Sequence, residues 1–124
     1  MTDFPRPVME RFRSAVEVSI ETRSGPGAPV HRTVIWIVVD PQRRVLVRSV
    51  RGERGRWYRE ALRHPACTVW IGAQSVAVEA VPAPDPNRMA AASAALAAKY
   101  AADPALRSML RDDVLTTTLE LLPR

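Results

Sequence analysis

Cysteine, lysine and long apolar runs are scarce in this 124-residue sequence. Its one cysteine, Cys67, excludes an internal disulfide framework. The longest apolar run, VIWIVV from Val34 to Val39, is far too short to cross a bilayer. The chain does not open with the charged and apolar segments of a secretory signal. We therefore expect a single domain over residues 1–124, in a reduced, cytoplasmic setting and without membrane contact.

The common signatures of catalytic and metal sites are absent as well. The sequence has no Walker-type phosphate loop, no dinucleotide-binding glycine fingerprint and no pair of carboxylates placed for acid–base work. His64 and Cys67 are three residues apart and His31 is distant, which is a poor ligand set because zinc prefers four well-placed donors. Cys67 begins an apolar strand pattern and is predicted to lie in the core. We predict no metal site and nominate no catalytic side chain.

Arginine, in contrast, is abundant. Seventeen of the eighteen basic residues are arginine, Lys99 is the only lysine, and the net charge is +5. Eight arginines lie between Arg43 and Arg63, where only Glu53 and Glu60 oppose them. Coding bias explains much of the total but not this local concentration, which indicates an anionic partner.

Hydrophobic periodicity predicts a mainly β (α+β) protein. Apolar and polar residues alternate over Val16–Thr22, as in a half-exposed strand. Val30–Val39 is predicted as a strand that is apolar on both faces in its second half, so its outer face must be covered by a helix or a second subunit. Arg44–Val50 follows a tight turn and is predicted to be a third strand, which pairs with the strand Val30–Val39 as a hairpin.

Turn and capping residues divide the rest of the chain. Asp85 followed by Pro86 is typical of a helix N-terminus, because aspartate caps the first turn and proline fits its first position. The other predicted elements are a flexible or helical arm (1–13), a short helix (Gly55–Arg63), a hairpin (Ala66–Ile71 and Ser75–Pro82), a second, shorter helix (104–111) and a last strand (Val114–Leu122). Closing the six strands into a small antiparallel barrel would remove the exposed edges of the sheet.

The segment RSVRGERGRWYREALRHP, from Arg48 to Pro65, concentrates the positive charge where the third strand ends and the short helix begins. If Val45 and Val47 fill the barrel, Arg48 points outward. Glycines permit close backbone approach to a ligand, helix N-termini favour anions, and arginine binds phosphate through two parallel hydrogen bonds. The segment is thus compatible with a phosphate site and, equally, with a solvated arginine cluster.

The short helix and the second strand each allow two interpretations. Arg56 and Glu60 are four residues apart and can form an ion pair along the helix surface. Trp57 and Tyr58 either anchor the helix on the barrel or stack beside a flat cofactor, and packing is the better interpretation for at least one of them. On the second strand, the residues with two interpretations are Arg32, Thr33 and Trp36. They either belong to the solvated first part of the strand or hydrogen-bond a planar heterocycle.

Taken together, HRTVIWIVVD and RVLVRSVRGERGRWYREALRHPACTVWIG resemble the flavin-binding split-barrel superfamily. That group contains pyridoxamine 5'-phosphate oxidase-like and deazaflavin-dependent nitroreductase-like proteins. Within it, the chain resembles a small uncharacterised family that carries a very similar RSVRGxxGRWYR segment. The resemblance covers roughly Val16–Val81 and, more loosely, the closing strand. It implies a six-stranded antiparallel split β-barrel with a short helix after strand 3, two helices before the last strand, and a homodimer with the cofactor between subunits.

The resemblance also implies which residues bind the cofactor, flavin mononucleotide (FMN) or an 8-hydroxy-5-deazaflavin. In such proteins the end of the third strand, with the loop and helix that follow, holds the phosphate. Carried over by position, the residues on the phosphate side are Arg48, Ser49, Arg51, Arg54, Gly55, Arg56 and Trp57. Those along the isoalloxazine or deazaflavin ring are Arg32, Thr33, Val34 and Ile35. The lysines and substrate-phosphate site of the vitamin B6 oxidase are missing, which argues against that activity.

Two functions from different classes follow. The first is a flavin- or deazaflavin-dependent oxidoreductase acting on a small organic molecule, in which the cofactor carries the chemistry and the protein holds and tunes it. The second is a non-enzymatic module whose arginine patch, beside Trp57 and Tyr58, grips nucleic acid or another anionic ligand. We favour the first, because the chain lacks a recognised nucleic-acid-binding motif.

Overall fold

Seven antiparallel strands form one sheet in the computed structural model, which describes residues 3–124. The strands are β1 (Val18–Thr22), β2 (His31–Ile35), β3 (Val38–Val39), β4 (Val45–Val47), β5 (Ala66–Ile71), β6 (Gln74–Pro82) and β7 (Leu119–Pro123). Their spatial order is β2-β1-β5-β6-β7-β4-β3. The two edge strands, β2 and β3, are nearly continuous in the chain, so the sheet is curled into a half-barrel. The predicted split-barrel architecture is confirmed.

One predicted strand is interrupted, and for this reason the structure has seven strands instead of six. The segment predicted as Val30–Val39 forms β2 and β3, with Trp36 and Ile37 between them. β2 pairs with β1, whereas β3 pairs with β4. The chain therefore changes partner at Trp36 and Ile37, and a seam without strand pairing separates β2 from β4.

Five α-helices lie among the described residues: α1 (Arg6–Ser14), α2 (Arg56–Arg63), α3 (Pro86–Lys99), α4 (Leu106–Met109) and α5 (Asp112–Leu115). Asp85 caps α3 by accepting the main-chain N–H of Arg88 at 3.0 Å. The arm predicted over 1–13 is helical from Arg6, and its first two residues lie outside the described part. None of the helices within residues 3–124 has the length and apolarity needed to cross a membrane.

The first half of the predicted last strand is wrong. Asp112–Leu115 is the short helix α5, and the strand begins only at Leu119. The hydroxyl groups of Thr117 and Thr118 donate at 2.6 Å to the main-chain oxygens of Val114 and Leu115. Such local bonds to the backbone compete with strand pairing, which explains why a β-branched run is not extended here.

Alternation along β4 separates two hydrophobic layers. Val45 and Val47 belong to the barrel interior, which α1 closes with residues such as Phe12. Leu46 belongs to the outer layer, together with Val38 and the helix α3. Arg48 continues the Leu46 side and therefore points out of the barrel, toward the C-terminal helices. The helix α3 therefore covers this part of the outer face.

Candidate functional site

A cleft of about 580 Å³ opens beside the seam of the barrel. Its walls come from the end of β2, the segment after β4, the N-terminus of α2, and α4. Nine of the residues predicted for cofactor binding line it: Thr33, Val34, Ile35, Arg48, Ser49, Arg51, Gly55, Arg56 and Trp57. Because the seam brings β2 close to the segment after β4, the predicted ring-side and phosphate-side groups meet in one place.

Two predicted residues, Arg32 and Arg54, lie outside this cleft. Arg32 is on the opposite side of β2 from Thr33, where its Nε atom lies 3.3 Å from Glu21 Oε1. Its guanidinium also lies 3.9 Å from the ring centroid of Trp70. Arg54 is exposed in a short 3₁₀ turn, Gly52–Arg54, and does not line the cleft.

Arg48 is the most buried cation of the site, with 1% of its surface exposed. Its Nε donates to Thr118 Oγ1 at 2.9 Å, Nη1 to Met109 O at 3.0 Å, and Nη2 to Met89 O at 2.7 Å. No ion pair within residues 3–124 involves it. Burial lowers the pKa of Arg48 to about 10, so it stays protonated at neutral pH. It therefore ties β4 to the C-terminal segments and places an uncompensated positive charge beneath the cleft.

Glycine shapes the turn between β4 and α2. Gly52 has a φ of +67°, a conformation that glycine adopts at little cost. Ser49 Oγ donates to Gly52 O at 2.8 Å, and a Cβ placed on Gly55 would lie only 2.4 Å from that hydroxyl oxygen. The sequence suggested that glycine here lets a ligand approach. In the structure, the group that approaches Gly55 is the Ser49 side chain.

The N-terminus of α2 and the turn before it present Arg56 and Arg51 to the cleft. The first main-chain bond of the helix runs from Arg59 N to Gly55 O, and no side chain caps the helix. The N–H groups of the first turn are therefore left without helical partners. Arg51 and Arg56 are exposed and take part in none of the ion pairs found in the described chain. This corner of the cleft concentrates hydrogen-bond donors and positive charge.

The two aromatic residues of α2 pack against the barrel. Trp57 and Tyr58 are both buried, with ring centroids 6.4 Å apart in an edge-to-face arrangement. Burial, with a further contribution from Glu53, raises the pKa of Tyr58, so its hydroxyl stays protonated. Trp57 also reaches the cleft wall, whereas Tyr58 does not line the cleft.

The predicted ion pair between Arg56 and Glu60 is not formed. Glu60 is largely buried, and its Oε1 accepts the hydroxyl of Thr22 at 2.8 Å. Its Oε2 lies 3.1 Å from His31 Nδ1. Donors from β1 and β2 thus hold the carboxylate on the barrel side of the helix. Arg56 has no acidic partner among residues 3–124.

Trp36, which the sequence named as a candidate beside a planar heterocycle, also lines the cleft. Four further residues line it although the sequence did not single them out as binding residues: Glu17, Val50, Ala105 and Met109. Glu17 would be found by continuing the β1–β2 register, in which Val18 is opposite Ile35, by one residue, because this step sets Glu17 opposite Trp36. Ala105 and Met109 come from the α4 region, and no local signal predicts that this region reaches the seam. Within residues 3–124, no group of three or more His, Cys, Asp or Glu could hold a metal ion.

Residues 8–121 match the model of a family described as uncharacterized proteins conserved in bacteria (DUF2255). The chain belongs to this family. Among curated proteins, no sequence matches it significantly.

Solved structures with the same architecture are distant in sequence. Atu2129 of Agrobacterium tumefaciens, of unknown function, matches with a TM-score of 0.70 and 14% identity over 98% of this chain and 56% of its own. HutZ, the heme storage protein of Vibrio cholerae, matches with a TM-score of 0.66 and 10% identity over 99% of this chain and 92% of its own. A candidate pyridoxamine 5'-phosphate oxidase of Listeria innocua matches with a TM-score of 0.61 and 11% identity over 93% of this chain and 87% of its own. These similarities support the split-barrel fold, and this chain spans little more than half of Atu2129.

Proposed function

We propose that the protein binds a phosphorylated flavin or deazaflavin in the cleft and acts as an oxidoreductase on a small organic molecule. The observation that carries the proposal is the composition of the cleft. Arg51 and Arg56, which form no ion pair within the described chain, line the cleft together with the buried charge of Arg48. They face an apolar wall that includes Val34 and Ile35. The volume of about 580 Å³ lies within the range of about 300–1,000 Å³ that is usual for cofactor and ligand sites.

The side chains divide the work of holding such a cofactor. Arg51 and Arg56 are the direct partners of the phosphate, because they are exposed and have no ion pair to break. Arg48 acts through its charge, since three of its N–H groups already donate to the protein. The edge of β2 from Thr33 to Ile35 lies along the ring. When bound, the cofactor supplies hydride or electron transfer, and the positive potential of the cleft favours its reduced, anionic form.

The residues of the cleft fit this cofactor better than they fit heme, the ligand named for HutZ. None of the described residues that line the cleft is histidine or cysteine, and Met109 is almost fully buried. An iron porphyrin would therefore lack a usual axial ligand there. Arginines and helix N–H groups, in contrast, suit a phosphate.

The experiment is a titration of the purified protein with FMN and with a deazaflavin cofactor, followed by absorbance and fluorescence. Arg56→Ala should weaken binding by about 1.5–3 kcal/mol, the loss of a charge-assisted hydrogen bond. Arg63→Ala is the matched control, because Arg63 is an exposed arginine of the same helix outside the cleft. If the protein binds neither cofactor, the proposal is wrong.

A nucleic-acid module is the second candidate, and one observation favours it. Arg54, Arg59 and Arg63 are exposed outside the cleft and form none of the ion pairs seen in residues 3–124. An extended polyanion would use these arginines as well as those of the cleft. Oligonucleotide binding that weakens steeply with salt, and equally in Arg56→Ala and Arg63→Ala, would support this candidate over the first.

We also propose that the active form is a homodimer. Val34 and Val50 line the cleft but are 60% and 47% exposed, so its apolar rim is open to water. A second subunit would cover this rim and complete the ring-binding wall. Sedimentation analysis should give twice the chain mass, and Val34→Asp should shift it toward the monomer and weaken cofactor binding. A monomeric wild-type protein that binds FMN would contradict the proposed homodimer but not the proposed cofactor site.

A further inference from the structure

The wall of the cleft at the seam carries an aromatic plate. Trp36 lines the cleft, and its ring is stacked on that of Tyr100, with centroids 3.9 Å apart and planes inclined by 5°. Tyr100 is buried and donates its hydroxyl to the main-chain oxygen of Val16. Tyr100 thus occupies one face of the Trp36 ring, and Trp36 is also one of the residues that line the cleft.

The plate is fixed before any ligand arrives. Lys99 Nζ donates to the main-chain oxygen of Ile37 at 2.7 Å and to that of Phe12 at 2.9 Å. Ile37 directly follows Trp36 at the point where the chain changes strand partner. The end of α3 therefore holds both the backbone and the ring at this position. A preordered aromatic surface binds a flat ligand with little loss of side-chain entropy.

A carboxylate lies next to this plate. Continuing the β1–β2 register by one residue sets Glu17 opposite Trp36, and both line the cleft. Continuing the β3–β4 register, in which Val38 is opposite Leu46, sets Arg48 on the other side of Trp36. Glu17 is exposed and takes part in none of the ion pairs formed within residues 3–124. Trp36 is thus flanked in the register by a cation, Arg48, and by a hydrogen-bond acceptor, Glu17, and all three residues line the cleft.

We propose that Trp36 stacks on the ring of the ligand and that Glu17 accepts a hydrogen bond from an N–H group on the edge of that ring. The proposal rests on the proposed function and narrows its ligand class. The ligand is a planar heteroaromatic ring that carries an N–H donor, joined to a phosphate that reaches Arg51 and Arg56. Phosphate esters without such a ring bind through the arginines alone.

The stacking step is tested with Trp36→Leu and Trp36→Phe, titrated with FMN and with inorganic phosphate as a competitor. Stacking on an aromatic side chain contributes about 1–3 kcal/mol per ring, so Trp36→Leu should weaken FMN binding about tenfold. Trp36→Phe keeps an aromatic ring against Tyr100 and should therefore lose less FMN affinity than Trp36→Leu. Competition by phosphate should be unchanged. Trp70→Leu is the control, because Trp70 is partly exposed on β5 and does not line the cleft.

The hydrogen-bonding step is tested with Glu17→Gln and with FMN methylated at N3, the ring N–H of the oxidised flavin. Glu17→Gln should weaken FMN binding several-fold but leave binding of the methylated analogue unchanged. Unaltered FMN affinity in Trp36→Leu, or an equal loss for FMN and phosphate, would overturn the inference while the proposed function stands. Failure of the wild-type protein to bind any flavin or deazaflavin would instead overturn the proposed function.

Discussion

Replacing Gly55 by alanine tests the close contact that forms the turn into α2. A Cβ at this position would lie 2.4 Å from Ser49 Oγ, well inside van der Waals distance. The backbone at Gly55, with φ −59° and ψ 130°, suits alanine. Any destabilisation must therefore come from the contact and not from backbone strain. To relieve the overlap, Ser49 must rotate and give up its 2.8 Å hydrogen bond to Gly52 O.

The size of the effect follows from three contributions. Overpacking a buried site costs about 1–3 kcal/mol. Loss of the Ser49 hydrogen bond adds about 1 kcal/mol. The lower entropy of the unfolded chain with alanine in place of glycine returns about 0.4–1 kcal/mol. Gly55→Ala should therefore lower the free energy of unfolding by about 1–3.5 kcal/mol.

The double variant with Ser49→Ala isolates the cause. Without the hydroxyl, the nearest atoms to a Cβ at position 55 are Gly52 O at 3.4 Å and the Cβ of residue 49 at 3.6 Å. These are ordinary contacts, so Gly55→Ala should cost little in the Ser49→Ala background. Urea unfolding of the four proteins, followed by tryptophan fluorescence, measures the coupling. An equal cost in both backgrounds would refute the contact explanation.

Three further predictions concern buried groups. Arg48→Ala should lower the free energy of unfolding by about 2–5 kcal/mol, because three acceptors lose their donor and a cavity forms. Arg56 is exposed, so Arg56→Ala should change this free energy by less than about 0.5 kcal/mol. Equal effects of the two substitutions in urea unfolding would contradict the prediction. Burial lowers the pKa of Lys99 from 10.5 to about 8, so between these pH values the unfolded chain binds more protons than the folded protein. The stability of the wild-type protein should therefore rise with pH across this window, relative to that of Lys99→Met. A stability difference that does not change with pH would contradict this prediction. Burial raises the pKa of Cys67 to about 11, so a thiol reagent at pH 8 should modify native Cys67 far more slowly than the unfolded chain.

Local patterns predicted much of the fold. The alternation of Val45, Leu46 and Val47 correctly assigned one side of β4 to the barrel interior, and Asp85 correctly marked the start of α3. The break at Trp36 and Ile37 was not predictable. A strand that is apolar on both faces has the same pattern whether it keeps one partner or exchanges it for another.

The candidate site divides in the same way. The arginine- and glycine-rich segment predicted a ligand site at the end of β4, and a cleft opens there. The prediction was possible because charge density and turn residues are local properties of the sequence. The surroundings of Arg48 are not local. The main-chain oxygens that accept from it belong to Met89 and Met109, 41 and 61 residues further along the chain. The sequence therefore showed where a guanidinium lies but not that its donors are already used.

The distinction between occupied and available guanidinium groups decides where binding energy can come from. Arg44 and Arg88 already contact carboxylates at 2.6 and 2.7 Å, and a ligand would have to break these pairs. Arg48 is occupied by neutral acceptors, so it contributes potential but few new hydrogen bonds. Arg51 and Arg56 are exposed, line the cleft and have no partner to give up within the described chain. A bound phosphate can therefore gain charge-assisted hydrogen bonds from these two residues without loss elsewhere, and its affinity should depend on them more than on the total basic charge of the chain.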